Sequence, residues 1–169
     1  DQAPIGYNPV PEMTFSLTAG LNWKGFDFSV LLQGATRSSI YLQGDIAWDN
    51  SWGNYYEEHI GRWTPETAAT ATYPRFTKAA TAAHPNYYKS DYWLKDSKYL
   101  RLKNIQLGYT IPRKLLKKIG IRSLRVYTNA YNLLTWDNVK KVDPESPNNS
   151  NGQFYPQQKV INFGINLNF

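Results

Sequence analysis

The sequence predicts a mainly β fold: an antiparallel sheet of about five long strands, one long aromatic-rich loop and a short helical turn. Three observations predict it. Five stretches alternate apolar and polar residues with period two, the repeat of an extended strand with two unlike faces. Aromatic residues make up 15% of the chain, with 13 Tyr and 6 Trp, an excess that suits strands, interfaces and ligand-stacking surfaces better than a helical core. The connections between the alternating stretches run short, long, short and then moderately long.

Residues 1–12 hold Pro4, Gly6, Pro9 and Pro11 and read as a connection. Met13–Trp23 is the first strand. Met13, Phe15, Leu17, Ala19, Leu21 and Trp23 share one face, and Thr14, Ser16, Thr18, Gly20, Asn22 and Lys24 share the other. Lys24-Gly25 supplies a tight hairpin turn, with Gly free to take a positive φ. Residues 26–35 form the second strand, with Phe26, Phe28, Val30 and Leu32 on one face and Asp27, Ser29 and Gln33 on the other; Leu31 breaks the pattern. Residues 36–98 carry no sustained period, and a loop of this length within a compact domain tends to be functional. Residues 48–62 can carry a short helix, and Arg62-Trp63-Thr64-Pro65-Glu66 reads as its exit or as a turn.

Residues 99–111 form the third strand, stopped by Pro112, which has no N–H for a ladder. Leu100 and Leu102 fall on one phase, and Ile105, Leu107, Tyr109 and Ile111 on the other, which predicts a β-bulge near Lys103-Asn104 or a strand that leaves the apolar medium at that height. Residues 112–120 start with Pro and stop with Gly120, the signature of one or two helical turns. The fourth strand covers 121–134, with Leu124, Val126, Thr128 and Ala130 on one face and Arg125, Tyr127, Asn129 and Tyr131 on the other. Residues 135–158 form a second, polar loop. The fifth strand covers 159–169, with Ile161, Phe163, Ile165, Leu167 and Phe169 facing one way and Asn162, Gly164, Asn166 and Asn168 the other.

The chain has no cysteine, which excludes disulfides, zinc thiolates and cysteine nucleophiles. Its net charge of +6 is partly local, gathered in Arg113, Lys114, Lys117, Lys118, Arg122 and Arg125; no recognition helix or zinc pattern accompanies it, so nucleic acid is not an expected partner. No stretch approaches the roughly 20 apolar residues of a membrane helix. A transmembrane barrel strand needs only about 9–11 residues, every second one apolar. Short turns on one side and long loops on the other are the habit of such barrels. No signal peptide is visible at the start, and the chain reads as a fragment or a processed product.

Several motifs then converge. Residues 22–29 (Asn-Trp-Lys-Gly-Phe-Asp-Phe-Ser), Arg62-Trp63-Thr64-Pro65-Glu66, Tyr73-Pro74-Arg75, residues 99–112, residues 126–133 (Val-Tyr-Thr-Asn-Ala-Tyr-Asn-Leu), Asp143-Pro144-Glu145 and the alternating stretch ending at Phe169 follow one another along the chain. In this order the chain resembles the C-terminal end of the SusC/RagA-type TonB-dependent outer-membrane transporters. The resemblance implies the last five strands of a 22-stranded barrel, a size class with a plugged lumen. It implies a Gram-negative outer-membrane location, with residues 36–98 and 135–158 extracellular and 112–120 periplasmic. It implies import of glycans or other large nutrients. Its implied partners are a SusD-like surface lipoprotein, TonB acting through parts of the transporter outside this chain, the barrel-assembly machinery and membrane lipid.

No enzyme chemistry is expected. His59 and His84 each lack a second His at ligand spacing, so no metal site is expected. Asp45, Asp49, Glu57, Glu58, Asp91 and Asp96 could supply a carboxylate pair for glycoside hydrolysis, but read more simply as solvated loop charge. No P-loop, dinucleotide fingerprint or Gly-x-Ser-x-Gly elbow occurs, so no cofactor and no catalytic residue is expected. Among the loop aromatics, Trp48, Trp52, Tyr55 and Trp63 are candidates to stack on a sugar ring; the competing reading packs them into the loop itself. Trp23, Phe26, Phe28 and Phe169 sit at strand ends, where an aromatic girdle meets the lipid interface. Phe163, Ile165, Leu167 and Phe169 are candidates for an assembly signal. The main alternative is a soluble secreted carbohydrate-binding β-domain using the same aromatics.

Overall fold

The computed structural model describes residues 3–49, 55–78, 84–140, 142–146 and 154–169. Seven strands occur among them: β1 (Met13–Trp23), β2 (Phe26–Thr36), β3 (Ser39–Tyr41), β4 (Leu94–Asp96), β5 (Tyr99–Thr110), β6 (Ser123–Asp137) and β7 (Val160–Asn168). One short helix, α1 (Arg113–Leu116), leads into a 3-10 turn at Lys117–Ile119. The chain divides into two compact units. One holds Asp1–Glu12, Arg37–Ser97 and Asn138–Pro156; the other holds Met13–Thr36, Lys98–Asp137 and Gln157–Phe169.

The second unit is a five-stranded sheet in the order β1-β2-β5-β6-β7, with every neighbouring pair antiparallel. Lys24 and Gly25 both take positive φ in the β1–β2 turn, at 47° and 92°, as a two-residue hairpin with strand-matching twist requires. Gly120 closes the helical turn at φ 71°. β6 continues past residue 134 to Asp137, because Thr135, Trp136 and Asp137 still pair with Arg101, Leu100 and Tyr99.

The expected bulge is present, centred on Lys103. Leu31 pairs with Asn104 and Leu32 with Leu102, leaving Lys103 as the extra residue against β2. On the other side Leu102 pairs with Leu134 and Asn104 with Tyr131, so Lys103 faces two residues of β6, Asn132 and Leu133. Asn132 absorbs this with φ 51°, a conformation Asn reaches more readily than most residues.

The bulges keep one face apolar from edge to edge. Its rows read Leu17–Leu32–Leu102–Leu134, then Ala19–Val30–Ile105–Ala130–Ile161, Leu21–Phe28–Leu107–Thr128–Phe163 and Trp23–Phe26–Tyr109–Val126–Ile165. Directly opposed residues project to the same side, so these rows are one surface. Much of it is bare: Leu17 is 61% exposed, Ile165 68% and Phe163 83%. The opposite face is polar, with Asn162 Nδ2 donating to Asn129 Oδ1 at 3.0 Å as one cross-strand bond.

Candidate functional site

The first unit holds most of the long loop, in which the sequence suggested a short helix over 48–62; the helical turn described there is 3-10, at Glu57–Gly61. Two three-residue strands, too short to show a period, form a small antiparallel sheet there: Ser39 opposes Asp96, Ile40 opposes Lys95 and Tyr41 opposes Leu94. Leu42 N–H donates to the Trp93 carbonyl at 2.9 Å and extends the pairing. Ile40, Leu42, Ala47, Tyr73, Tyr87, Trp93 and Val139 make a buried cluster beside it.

His59 ties this cluster together. The Tyr56 N–H donates to its Nδ1 at 3.0 Å, closing the 3-10 turn Glu57–Gly61. That leaves Nε2 facing the Ala47 carbonyl at 3.4 Å, and the Tyr73 hydroxyl donates to the same carbonyl at 2.8 Å. The His59 and Tyr73 rings lie 4.5 Å apart, edge to face. The buried Asp49 carboxylate accepts from Thr77 N–H at 2.8 Å and from the Tyr87 hydroxyl. His59 and Asp49 are both buried and hydrogen-bonded within the unit, so Asp49 is not the solvated loop charge the sequence suggested. Among the described residues no group of three His, Asp or Glu side chains could hold a metal.

Burial raises the Tyr73 hydroxyl well above the ordinary tyrosine range, and the neighbouring Asp49 charge raises it further. Burial raises Tyr92 as well, helped by Glu58; its hydroxyl donates to the Thr72 carbonyl at 2.8 Å.

The four candidate aromatics part company. Trp48 turns inward, its ring 4.7 Å from that of Tyr87, and its Nε1 is buried without a hydrogen-bond partner. Trp52 lies outside the described residues. Tyr55 is exposed, with its ring 5.4 Å from Phe76. Trp63 is exposed and lines a cleft of about 420 Å³ with Arg62, Thr64, Pro65, Arg75 and Phe76. Tyr55 thus stands beside Phe76, Trp63 lines the cleft that Phe76 also lines, and Trp48 belongs to the packing.

The cleft is built on fixed backbone. Arg62 bridges to Tyr73 in parallel, and Trp63 N–H donates to the Tyr73 carbonyl at 2.9 Å. Thr64 and Thr67 bond each other, with Thr64 N–H to Thr67 Oγ1 at 2.9 Å. Asn86 Nδ2 donates to the Arg75 carbonyl at 2.7 Å. The Arg62 guanidinium lies 5.0 Å from the Phe76 ring centre, a cation–π distance. Arg62, Arg75 and Phe76 were not among the candidates, although both arginines stand in the motifs quoted above. Their signal was two cations beside aromatic and proline residues. A second cleft of about 380 Å³ lies between the Pro-rich segment and β3–β4, with Tyr7, Tyr41 and Lys89 in its wall.

Of the proposed assembly residues, Phe163, Ile165 and Leu167 stand on the apolar face of β7, and Phe169 follows that strand, exposed. Of the proposed girdle, Phe26 packs against Tyr109 with ring centres 4.5 Å apart, and Lys24 Nζ lies 4.9 Å from the Trp23 ring centre.

No protein-family model matches the chain. The chain is 28% identical, over its full length, to TonB-dependent receptor P26 of Formosa agariphila, of which it spans 18%. It is 24% identical over 95% of its length to the TonB-dependent receptor SusC of Bacteroides thetaiotaomicron, of which it spans 15%. Among solved structures, 96% of the chain superposes on 18% of one chain of the RagAB peptide importer in its open-open state, with a TM-score of 0.75 and 25% identity.

Proposed function

We propose that this chain, a segment of a SusC/RagA-type TonB-dependent transporter, supplies barrel wall and loop surface to an outer-membrane importer of large nutrients. The apolar face carries the reading. It runs across strands of 9 to 15 residues, and a tilted membrane-crossing strand needs about 9–11. Monomeric proteins in water rarely leave a contiguous apolar surface of this extent bare. Lipid on one side and a polar lumen on the other suit the two faces.

Among the described residues β1 and β7 each have one unpaired edge within the sheet. In lipid such edges must pair, so further strands complete the wall, 22 in all in this size class. The chain takes the C-terminal place in that barrel, as its motifs suggest. The two long connections leave from the strand ends near Thr36, Tyr99, Asp137 and Val160 and face the outside; the Pro112 turn faces the periplasm. Phe163, Ile165, Leu167 and Phe169 address the barrel-assembly machinery. A SusD-like lipoprotein is the surface partner, and TonB acts through the rest of the transporter. The nutrient is a glycan or another large oligomer. The chain performs no reaction of its own.

Sedimentation of the chain in plain buffer and in detergent tests this. Aggregates in buffer that become discrete, strand-rich particles in detergent are expected. A folded monomer in plain buffer would overturn the reading in favour of a soluble carbohydrate-binding domain.

A further inference from the structure

We infer that the cleft between Arg62, Trp63, Arg75 and Phe76 binds an acidic sugar unit, its carboxylate held by the two arginines and its ring laid on the Trp63 indole. The assignment names a ligand class for the loop surface and so rests on the uptake reading. Among the described residues neither guanidinium has a carboxylate partner. Glu66, the acid of the same turn, is bonded by the Thr64 side chain, which holds its carboxyl below the usual carboxylate range. Arg62 rests on the Phe76 ring and, among the described residues, neither cation is neutralised by a carboxylate, so two planar forks lining one cleft suit a carboxylate ligand.

The cleft's volume, about 420 Å³, lies within the range of small-ligand sites. Its backbone is fixed by the bridge between Arg62 and Tyr73 and by the Thr64–Thr67 pair, so the ordering on binding falls to the side chains. Trp63 presents an exposed flat face beside Pro65. An extended peptide recognised by strand addition would need free backbone donors and acceptors. Here the Trp63 and Tyr73 amides and the Gly61 and Tyr73 carbonyls already bond within the unit, so side chains must do the recognising. That favours a sugar over a peptide.

The test is titration calorimetry on the full-length transporter in detergent. The probe is a glucuronate–glucose disaccharide; the controls are the matching neutral glucose disaccharide and a tripeptide with a free C-terminal carboxylate. The acidic disaccharide should bind best, and more weakly as salt rises. Arg62→Gln and Arg75→Gln should each weaken it about tenfold or more, the loss expected for a hydrogen bond to a charged group. Both arginines are exposed, so the variants should keep the wild-type melting temperature; Arg75→Lys, which keeps the charge and loses the fork, should recover only part of the affinity. Equal binding of the neutral disaccharide, preference for the tripeptide, absence of binding, or folded arginine variants with unchanged affinity would each overturn the assignment. The readout needs neither TonB nor a membrane. A transporter that inserts into the outer membrane but ignores the acidic sugar would therefore sink this inference and leave the uptake reading standing.

Discussion

Arg125 on β6 reaches across β5 to Asp27 on β2. Its Nε donates to Oδ2 at 2.9 Å and its Nη2 to Oδ1 at 2.5 Å, a two-pronged ion pair on the polar face of the sheet. The strand between them contributes Gly108, and a Cβ there would run into both the carboxylate and the guanidinium. The missing side chain is the space in which the charges meet. Gly164 on β7 is covered in the same way by the ring of Tyr127.

Gly108→Val should therefore destabilise the sheet more than either Asp27→Asn or Arg125→Gln. Removing one partner of a half-buried charged pair costs about 1–3 kcal/mol. The valine also wedges the strands' side chains apart. The temperature at which the assembled protein loses its compact mobility on a gel reads the difference. A Gly108→Val protein as heat-resistant as wild type would refute the steric role of the glycine.

The two faces should answer oppositely to charge. Leu17 and Thr18 are neighbours at mid-strand on β1, on the apolar and polar faces respectively. Leu17→Arg should cost about 2–4 kcal/mol if that height is the bilayer centre. Thr18→Arg should stay within about 0.5 kcal/mol, as surface changes do. The fraction of heat-modifiable protein in isolated outer membranes measures both. Equal tolerance would contradict a lipid-facing Leu17.

Much of the sheet was legible because alternation is visible wherever one face must be apolar. The Lys103 bulge was legible too, since β5 changes phase there. Its counterpart at Asn132 was silent, because Ala130, Leu134 and Trp136 keep the same even phase and two extra residues restore it. The small sheet of β3 and β4 was missed because three residues cannot establish a period. Trp48 and Trp63 are the same residue type in the same loop, and only the fold turns one onto Tyr87 and leaves the other at the cleft. His59 looked unassigned because its acceptors and donors are backbone groups, which carry no sequence signature.

Tyr73 should make the loop unit sensitive to alkali. Its folded pKa lies above the ordinary tyrosine value of 10.0, chiefly through burial. Above pH 10 the unfolded chain releases this proton and the folded chain keeps it, so rising pH draws the equilibrium towards unfolding. Stability is full below pH 10 and declines from there upward. Tyr73→Phe should flatten that decline, at the expense of the bond to Ala47. Chemical denaturation from pH 8 to 11.5, followed by tryptophan fluorescence, would show it. An unchanged slope in the variant would mean that another group governs the alkaline limit.

Asn132 should discriminate sharply between substitutes. Its φ of 51° lies in the left-handed region, and its Nδ2 donates to the Gln158 carbonyl at 3.1 Å. Asn132→Gly keeps the conformation and loses one bond, a cost of about 1 kcal/mol. Asn132→Val must hold a β-branched side chain at positive φ, which adds about 1–3 kcal/mol of strain. The strain acts where β6 re-registers, between the Asn104–Tyr131 and Leu102–Leu134 pairs. If β6 escapes by slipping one residue, Leu134 and Trp136 leave the apolar face. Asn132→Val should thus lower both the gel-shift temperature and the amount of assembled protein, with Asn132→Gly close to wild type. The reverse ranking would mean that the side-chain bond to Gln158, and not the backbone conformation, fixes the register.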